Sequence, residues 1–438
     1  VTTGTLTEFV RFGYGPAPQD RLEGVGVDAG RLLGQLTDGV MPRAGMTSRE
    51  RLDLLAEQRR ASEAAKAGGP KENKALMALR ALTAQEAAGW VWDAVTSETG
   101  FAERLLNFWA NRLTVAWRKG PAAYLLGPYR EEAIRPHVGG RFADMLAASA
   151  WHPAMLEYLD QAASVGPESV FGRKKRKGLN ENYAREFLEL HSMGTGYDQA
   201  DVTELARLFA GMQYSAEGAF FDEDRAEPGE KTILGQRFGS GPDEVARLIG
   251  IVARRPETAE NVARALAGHF ITDDPPADLV AGMAGAYLEG DTALAPVYRV
   301  LLQHPAAVDP AFRKVRNPHE YVVATIRALG LTPDLASGKG RLKTGEALAD
   351  MGQPVFRAPG PDGWPDTAED WVTAPALAAR LNWAEMLARR FGEQADPVAL
   401  ARRMLAPAEE HTVTAVGRAE QRWEGLAVLL GAPALMRR

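Results

Sequence analysis

The segment Asn180-Glu-Asn-Tyr-Ala-Arg-Glu-Phe-Leu-Glu-Leu-His191 places four charged side chains, two asparagines and a histidine in little more than three helical turns. Side chains three and four apart share a helical face. Asn182, Arg185, Glu186 and Glu189 therefore line one side, and Tyr183, Phe187 and Leu190 line the opposite, core-facing side. His191 falls beside Ala184, Phe187 and Leu188. Such a set can do acid–base chemistry. Glu186, Glu189 and His191 are the candidate catalytic groups, and Asn182 and Arg185 would hold an anionic part of a substrate. Glu186 with Asp201 could hold a divalent cation through hard oxygen ligands. The same residues also suit an ion-paired scaffold in which Arg185 neutralises Glu181 and Glu189 and nothing reacts. The Glu-x-x-His spacing of di-iron bundles is absent, because Leu188 stands three residues before His191.

The other candidates are scattered. Trp364, in Gly360-Pro-Asp-Gly-Trp-Pro-Asp366, either stacks on a bound sugar or ring or plugs its own loop onto the core. The cationic run Arg173-Lys-Lys-Arg-Lys177 precedes the polar helix. It would capture an anion at a helix N-terminus, or form a solvated loop. Seven histidines are spread from His137 to His411 without a His-Glu-x-x-His zinc pattern. No phosphate-loop, dinucleotide or Gly-x-Ser-x-Gly signature is present. Having no cysteine, the chain has no thiol nucleophile, disulfide or cysteine-ligated metal. The net charge of −6 argues against nucleic-acid affinity, and no apolar run is long enough to cross a bilayer. Val1-Thr-Thr-Gly-Thr shows no basic, then apolar, leader. The expected compartment is cytoplasmic, or periplasmic if a leader has been removed or the chain is exported with a partner.

The elements that must position these groups are helices. Val202, Leu205, Phe209 and Met212 form one stripe, and Val262, Leu266 and Phe270 another. The pattern predicts an all-α protein of roughly fifteen helices with long Gly/Pro-rich loops and little or no sheet. Gly194-Thr-Gly196 should end the polar helix, and Asp198 with Asp201 should cap the next. A short connection then gives an antiparallel hairpin that brings Glu186, Glu189, Asp201 and Glu204 toward one another. The expected organisation is one large helical domain over 1–438. A subdivision into 1–213 and 245–438 is possible across the irregular stretch 214–244.

Nearly end to end, the chain resembles the bacterial family catalogued as domain of unknown function 1800. The matching blocks are Arg11-Phe-Gly-Tyr-Gly-Pro16, Glu103-Arg-Leu-Leu-Asn-Phe-Trp-Ala-Asn-Arg112, Ile134 to Phe142 and His152 to Asp160. They continue through Asn180 to His191, Gly268-His-Phe-Ile-Thr-Asp-Asp-Pro-Pro276 and the Gly363-Trp364 loop. Two departures stand out. The family usually has Asn-His-Phe where this chain has Asn111-Arg112-Leu113, and His-Asp near Ala226-Glu227. The resemblance implies a cell-envelope setting beside a sulfatase-like protein of domain of unknown function 1501. Two functions follow as expectations. One is an envelope-related enzyme with a carboxylate and arginine site, and the other is a non-catalytic helical escort or scaffold for that hydrolase.

Overall fold

The computed structural model describes residues 2–438 apart from 39–42, 44, 71, 119, 177, 338–339 and 406–408. Helix accounts for 61% of the chain and strand for 5%, which settles the class as all-α. Many helices are short, such as Leu126–Tyr129, Pro153–Tyr158 and Ala368–Trp371, and a stripe of apolar residues cannot announce elements of one turn. The count among the described residues is therefore 21 α-helices rather than fifteen.

Local chemistry starts these helices. Proline opens Pro256–Phe270 and Pro318–Ala328, where its missing N–H has no helical partner to lose. Asn73 and Asn317 cap Lys74–Thr96 and Pro318–Ala328 by accepting from Leu76 N (3.0 Å) and Glu320 N (2.9 Å). His152 and His304 do the same work ahead of a Pro-Ala pair. Each Nδ1 accepts an amide N–H, from Ala154 at 3.1 Å and from Ala306 at 3.2 Å.

The stretch 214–244 is more ordered than its glycines suggest. It carries most of two hairpins, Met212–Ser215 with Gly218–Phe221 and Lys231–Ile233 with Gln236–Phe238. The second turns through Leu234 (φ 50°) and Gly235 (φ 74°), the left-handed pair of a tight hairpin turn. Hydrophobic packing does not divide there, because Leu205, Phe209, Val245 and Leu248 belong to one buried cluster.

Two apolar clusters do exist, and they meet elsewhere. The first holds Phe12, Phe101, Trp109 and Phe270, the second Val91, Trp92, Tyr321 and Leu426. Lys74–Thr96 reaches both, with Leu79 in the first and Val91, Trp92 and Val95 in the second. Gly100–Arg112 and Pro256–Phe270 belong to the first, and Pro318–Ala328 to the second. The seam between these clusters is where buried charge collects.

Candidate functional site: a polar cavity at the seam of two cores

A cavity of about 320 Å³ opens at the seam, within the size range of small-molecule sites. One helix supplies a whole wall. Arg104, Asn107, Phe108, Asn111 and Arg112 on Gly100–Arg112 stand at the i, i+3, i+4, i+7, i+8 spacing of a single face. Gly268 and His269 come from the end of Pro256–Phe270, and Asn317, His319 and Glu320 from the start of Pro318–Ala328. Trp90, Lys314, and Asp362, Trp364 and Asp366 of one loop complete the surround.

Asn111 clamps that loop. Its Nδ2 donates to Trp364 O (2.9 Å) and its Oδ1 accepts from Trp364 N (2.7 Å). Gly363 has φ 81°, and a Cβ there would lie 2.4 Å from Asn111 O, so the close approach needs glycine. Trp364 is half-buried with its ring centroid 6.2 Å from that of Trp371, and it also lines the cavity.

The electrostatics run as a chain. Arg104 Nη2 donates to Glu320 Oε1 (2.8 Å), and Arg438 Nε donates to Glu320 Oε2 (2.8 Å). All three side chains are buried. Burial opposes charge on Glu320, but Arg104 and Arg438 hold its carboxyl well below the usual range. Arg104 Nη2 also lies 3.0 Å from His269 Nε2. A guanidinium only donates, so Nε2 carries the lone pair and Nδ1–H donates to Asp366 Oδ2 at 2.8 Å. Burial lowers the His269 pKa against the pull of Asp366, which keeps the ring neutral. Burial likewise opposes ionisation of Asp366, while His269, Lys314 and Arg438 hold it below its ordinary value. Lys314 Nζ donates to Asp273 Oδ1 at 2.5 Å.

His319 differs. Its Nε2 lies 2.9 Å from Trp90 O, and a carbonyl only accepts, so Nε2 bears the proton. Nδ1 then has a lone pair, with no partner among the described residues and no seal around it. The ring stacks on Trp90, centroids 4.2 Å apart. Burial drives its pKa down to about 4, so it is neutral at pH 7.

The polar helix sits beside this cavity, not in it. It runs as Asn182–Glu186 and then a π-helical turn, Phe187–His191, and it packs on Gln199–Phe209 as the expected hairpin. Its charges are largely engaged. Arg185 lies 3.7 Å from Glu181 and donates to Gln199 Oε1 (2.8 Å). Glu181 also accepts from Thr203 Oγ1 (2.7 Å), and Glu189 accepts from Tyr197 Oη (3.3 Å). Asn182 accepts no charge; its Nδ2 donates to Leu159 O at 3.4 Å. Asp201 forms the expected capping box with Asp198, and its other oxygen accepts from Leu234 N (2.6 Å). Glu204 pairs with Arg207 (2.7 Å). Among the described residues no three His, Asp or Glu side chains gather as a metal ion would need.

Two residues of this helix are coupled electrostatically to residues that line the cavity. Burial raises the pKa of Glu186, and Glu189 and Asp362 add to the rise, which places it by the Trp364 loop. His191 is buried with Nε2 unpartnered, and the charge it feels is that of Arg112. The cationic run ends its own helix, Val170–Lys175, where positive charge favours the C-terminal dipole. Arg173 pairs with Glu168 (2.9 Å), and Lys177 lies outside the described residues.

A larger hollow of about 580 Å³ borders the same Trp90, but its buried cations have carboxylate partners, Arg51 with Glu86 and Arg130 with Glu103.

Fold and site together define an all-α protein with a polar cavity where two hydrophobic clusters join. Residues 9–437 match the model of the family described as protein of unknown function, DUF1800, and the chain belongs to that family. No curated protein and no solved structure matches the chain. No helix among the described residues is long and apolar enough to cross a membrane.

Proposed function

We propose that the chain binds a small polar molecule in the seam cavity and moves a proton on it, with His319 as the accepting group. The observation that carries this is the fixed tautomer of His319. Trp90 O holds the proton on Nε2 and leaves an unpartnered Nδ1 lone pair on a ring that lines a ligand-sized cavity. Glu186, Glu189 and His191 then act from the margin, where they tune Asp362 and Arg112 and do not touch the ligand. The envelope setting and the sulfatase-like partner of domain of unknown function 1501 belong to this proposal through family resemblance alone. A divalent cation would have to arrive with the ligand or bind to fewer than three acidic or imidazole side chains.

The paired state of the polar helix favours a second reading, a non-catalytic escort, in which Glu181, Arg185, Gln199 and Thr203 fix the hairpin as a docking element. A pull-down with the sulfatase-like neighbour tests that reading.

The cavity reading is tested by filling it. A Cβ at Gly268 meets nothing within 4 Å, so Gly268→Leu projects into open space. Replacing glycine inside a helix should itself add about 0.5–1 kcal/mol. Any compound from a small-metabolite panel that raises the wild-type melting temperature should leave that of Gly268→Leu unmoved. His319→Gln keeps an N–H for Trp90 O and lacks the imidazole lone pair. It should retain ligand binding and lose turnover by roughly 10²–10⁴-fold. Ligands that bind Gly268→Leu as well as wild type would sink the proposal.

A further inference from the structure

The seam cavity contains three lining cations, and two are already neutralised by the protein. Arg104 has Glu320 at 2.8 Å and Lys314 has Asp273 at 2.5 Å. Arg112 is the exception. Its guanidinium makes no hydrogen bond and no ion pair among the described residues, and its Nη2 is sealed from solvent with no partner. Burial alone lowers its pKa, to about 10, with no carboxylate acting in the other direction. The half-buried side chain thus keeps part of its charge out of water with no carboxylate partner among the described residues. The group behind it does not help, because His191 is buried, and its own pKa falls to about 3.

Helix position explains how this comes about. Arg112 is the last residue of Gly100–Arg112, where the helix dipole already favours a cation. It stands one turn beyond Phe108 on the cavity face, with Trp364 on the clamped loop nearby in the same lining. A guanidinium is a permanent cation whose remaining N–H groups can donate to an oxyanion. The rings of Phe108, Trp90 and Trp364 offer apolar surface to whatever carries that anion.

We infer that the cavity takes an oxyanion-bearing molecule, a carboxylate or phosphate on a compact apolar or aromatic body, and that Arg112 is the group that selects it. This rests on the proposal that the cavity is a ligand site, and it adds the charge and class of the ligand. A bound anion gives Arg112 the counter-charge that no described residue supplies. Asp273, Asp362 and Asp366 also line the cavity and repel a second negative charge, so one anionic group is preferred over two.

The test compares benzoate and phenyl phosphate with the neutral isostere benzamide by calorimetry on the full chain. At least one anion should bind wild type tenfold or more tightly than benzamide, and whichever it is identifies the oxyanion. Arg112→Gln should erase that preference, and Arg112→Lys should keep part of it. Without ligand, Arg112→Gln should melt at or above the wild-type temperature, because a half-buried charge without a carboxylate partner has been removed. A structural arginine would behave oppositely. Arg112→Gln that melts lower and keeps the anion preference overturns the inference, as does the lack of any preference in wild type. Gly268→Leu separates the two claims. If it abolishes benzamide binding while no anion preference exists, the cavity stands as a ligand site and the anion inference falls. If it leaves all binding intact, the ligand-site proposal itself falls.

Discussion

Glu320→Gln is expected to destabilise the protein by about 3–5 kcal/mol, the usual cost of removing one member of a buried ionic group. Glu320 is 3% exposed and its two oxygens are shared between Arg104 and Arg438. Glutamine has nearly the same shape, but its amide NH₂ faces guanidinium donors where an acceptor is required. Two buried guanidinium groups would lose their counter-charge, and Arg104 would press its charge on His269, 3.0 Å away. A loss of this size is a large part of a typical domain's 5–15 kcal/mol. Adding Arg104→Met to Glu320→Gln should recover part of it, because an apolar side chain needs no partner. Denaturant unfolding of the three proteins measures both effects, and a loss below about 1 kcal/mol for the single variant would contradict the picture. The three residues come from different helices and a terminal segment of the described chain, so the network ties the two apolar clusters together as well as shaping the cavity wall.

That tie explains what was legible in the sequence and what was not. Local signals survived folding. Asp198 and Asp201 form the capping box that their spacing announced, and Gly194 and Gly196 take the positive φ of a helix-ending turn. The hairpin of the polar helix was visible because its short connection leaves little choice. Trp364 stood out because a tryptophan among prolines and glycines needs something to pack on. The hairpin turn at Leu234-Gly235 was hidden, since leucine is not the residue expected with φ above zero. The seam cavity was hidden for a different reason. Its charges lie at 104, 269, 320, 366 and 438, separations that no periodicity connects. One clue did exist. Arg104, Asn107, Phe108, Asn111 and Arg112 put four polar side chains on one face of a helix whose other residues include Leu105, Leu106 and Trp109, all buried. A helix buried on its apolar side with a polar stripe must either meet water or line a hollow, and here it lines a hollow.

The polar helix lies outside the lining of the hollow. Its arginine and most of its acids have partners in the hairpin, whereas Glu186 feels the charge of Asp362 and His191 that of Arg112.

His191 and His319 together predict a steep acid sensitivity well above the carboxylate range. Their folded-state pKa values are about 3 and about 4, while an unfolded histidine titrates near 6.5. Between those values the unfolded chain binds protons that the folded chain refuses, so stability rises with pH up to about 6.5 and is level above it. Acidification runs the same slope in reverse. Each imidazole contributes about 1.4 kcal/mol per pH unit, so by pH 5 the pair should have removed about 4 kcal/mol. His269, also held below its ordinary value, adds in the same direction. Glu320 acts later. Its contribution is complete above the unfolded carboxylate value near 4.3 and is lost only as pH falls below it. Urea midpoints should therefore agree at pH 7.5 and 7 and fall clearly by pH 5, before carboxylates begin to protonate. His191→Phe removes one titration and one unpartnered buried nitrogen. It should flatten the slope between pH 6.5 and 5 by about half and leave the protein at least as stable at pH 5 as the wild type. Equal midpoints at pH 7 and 5 in the wild type would mean that neither ring is buried in its neutral form.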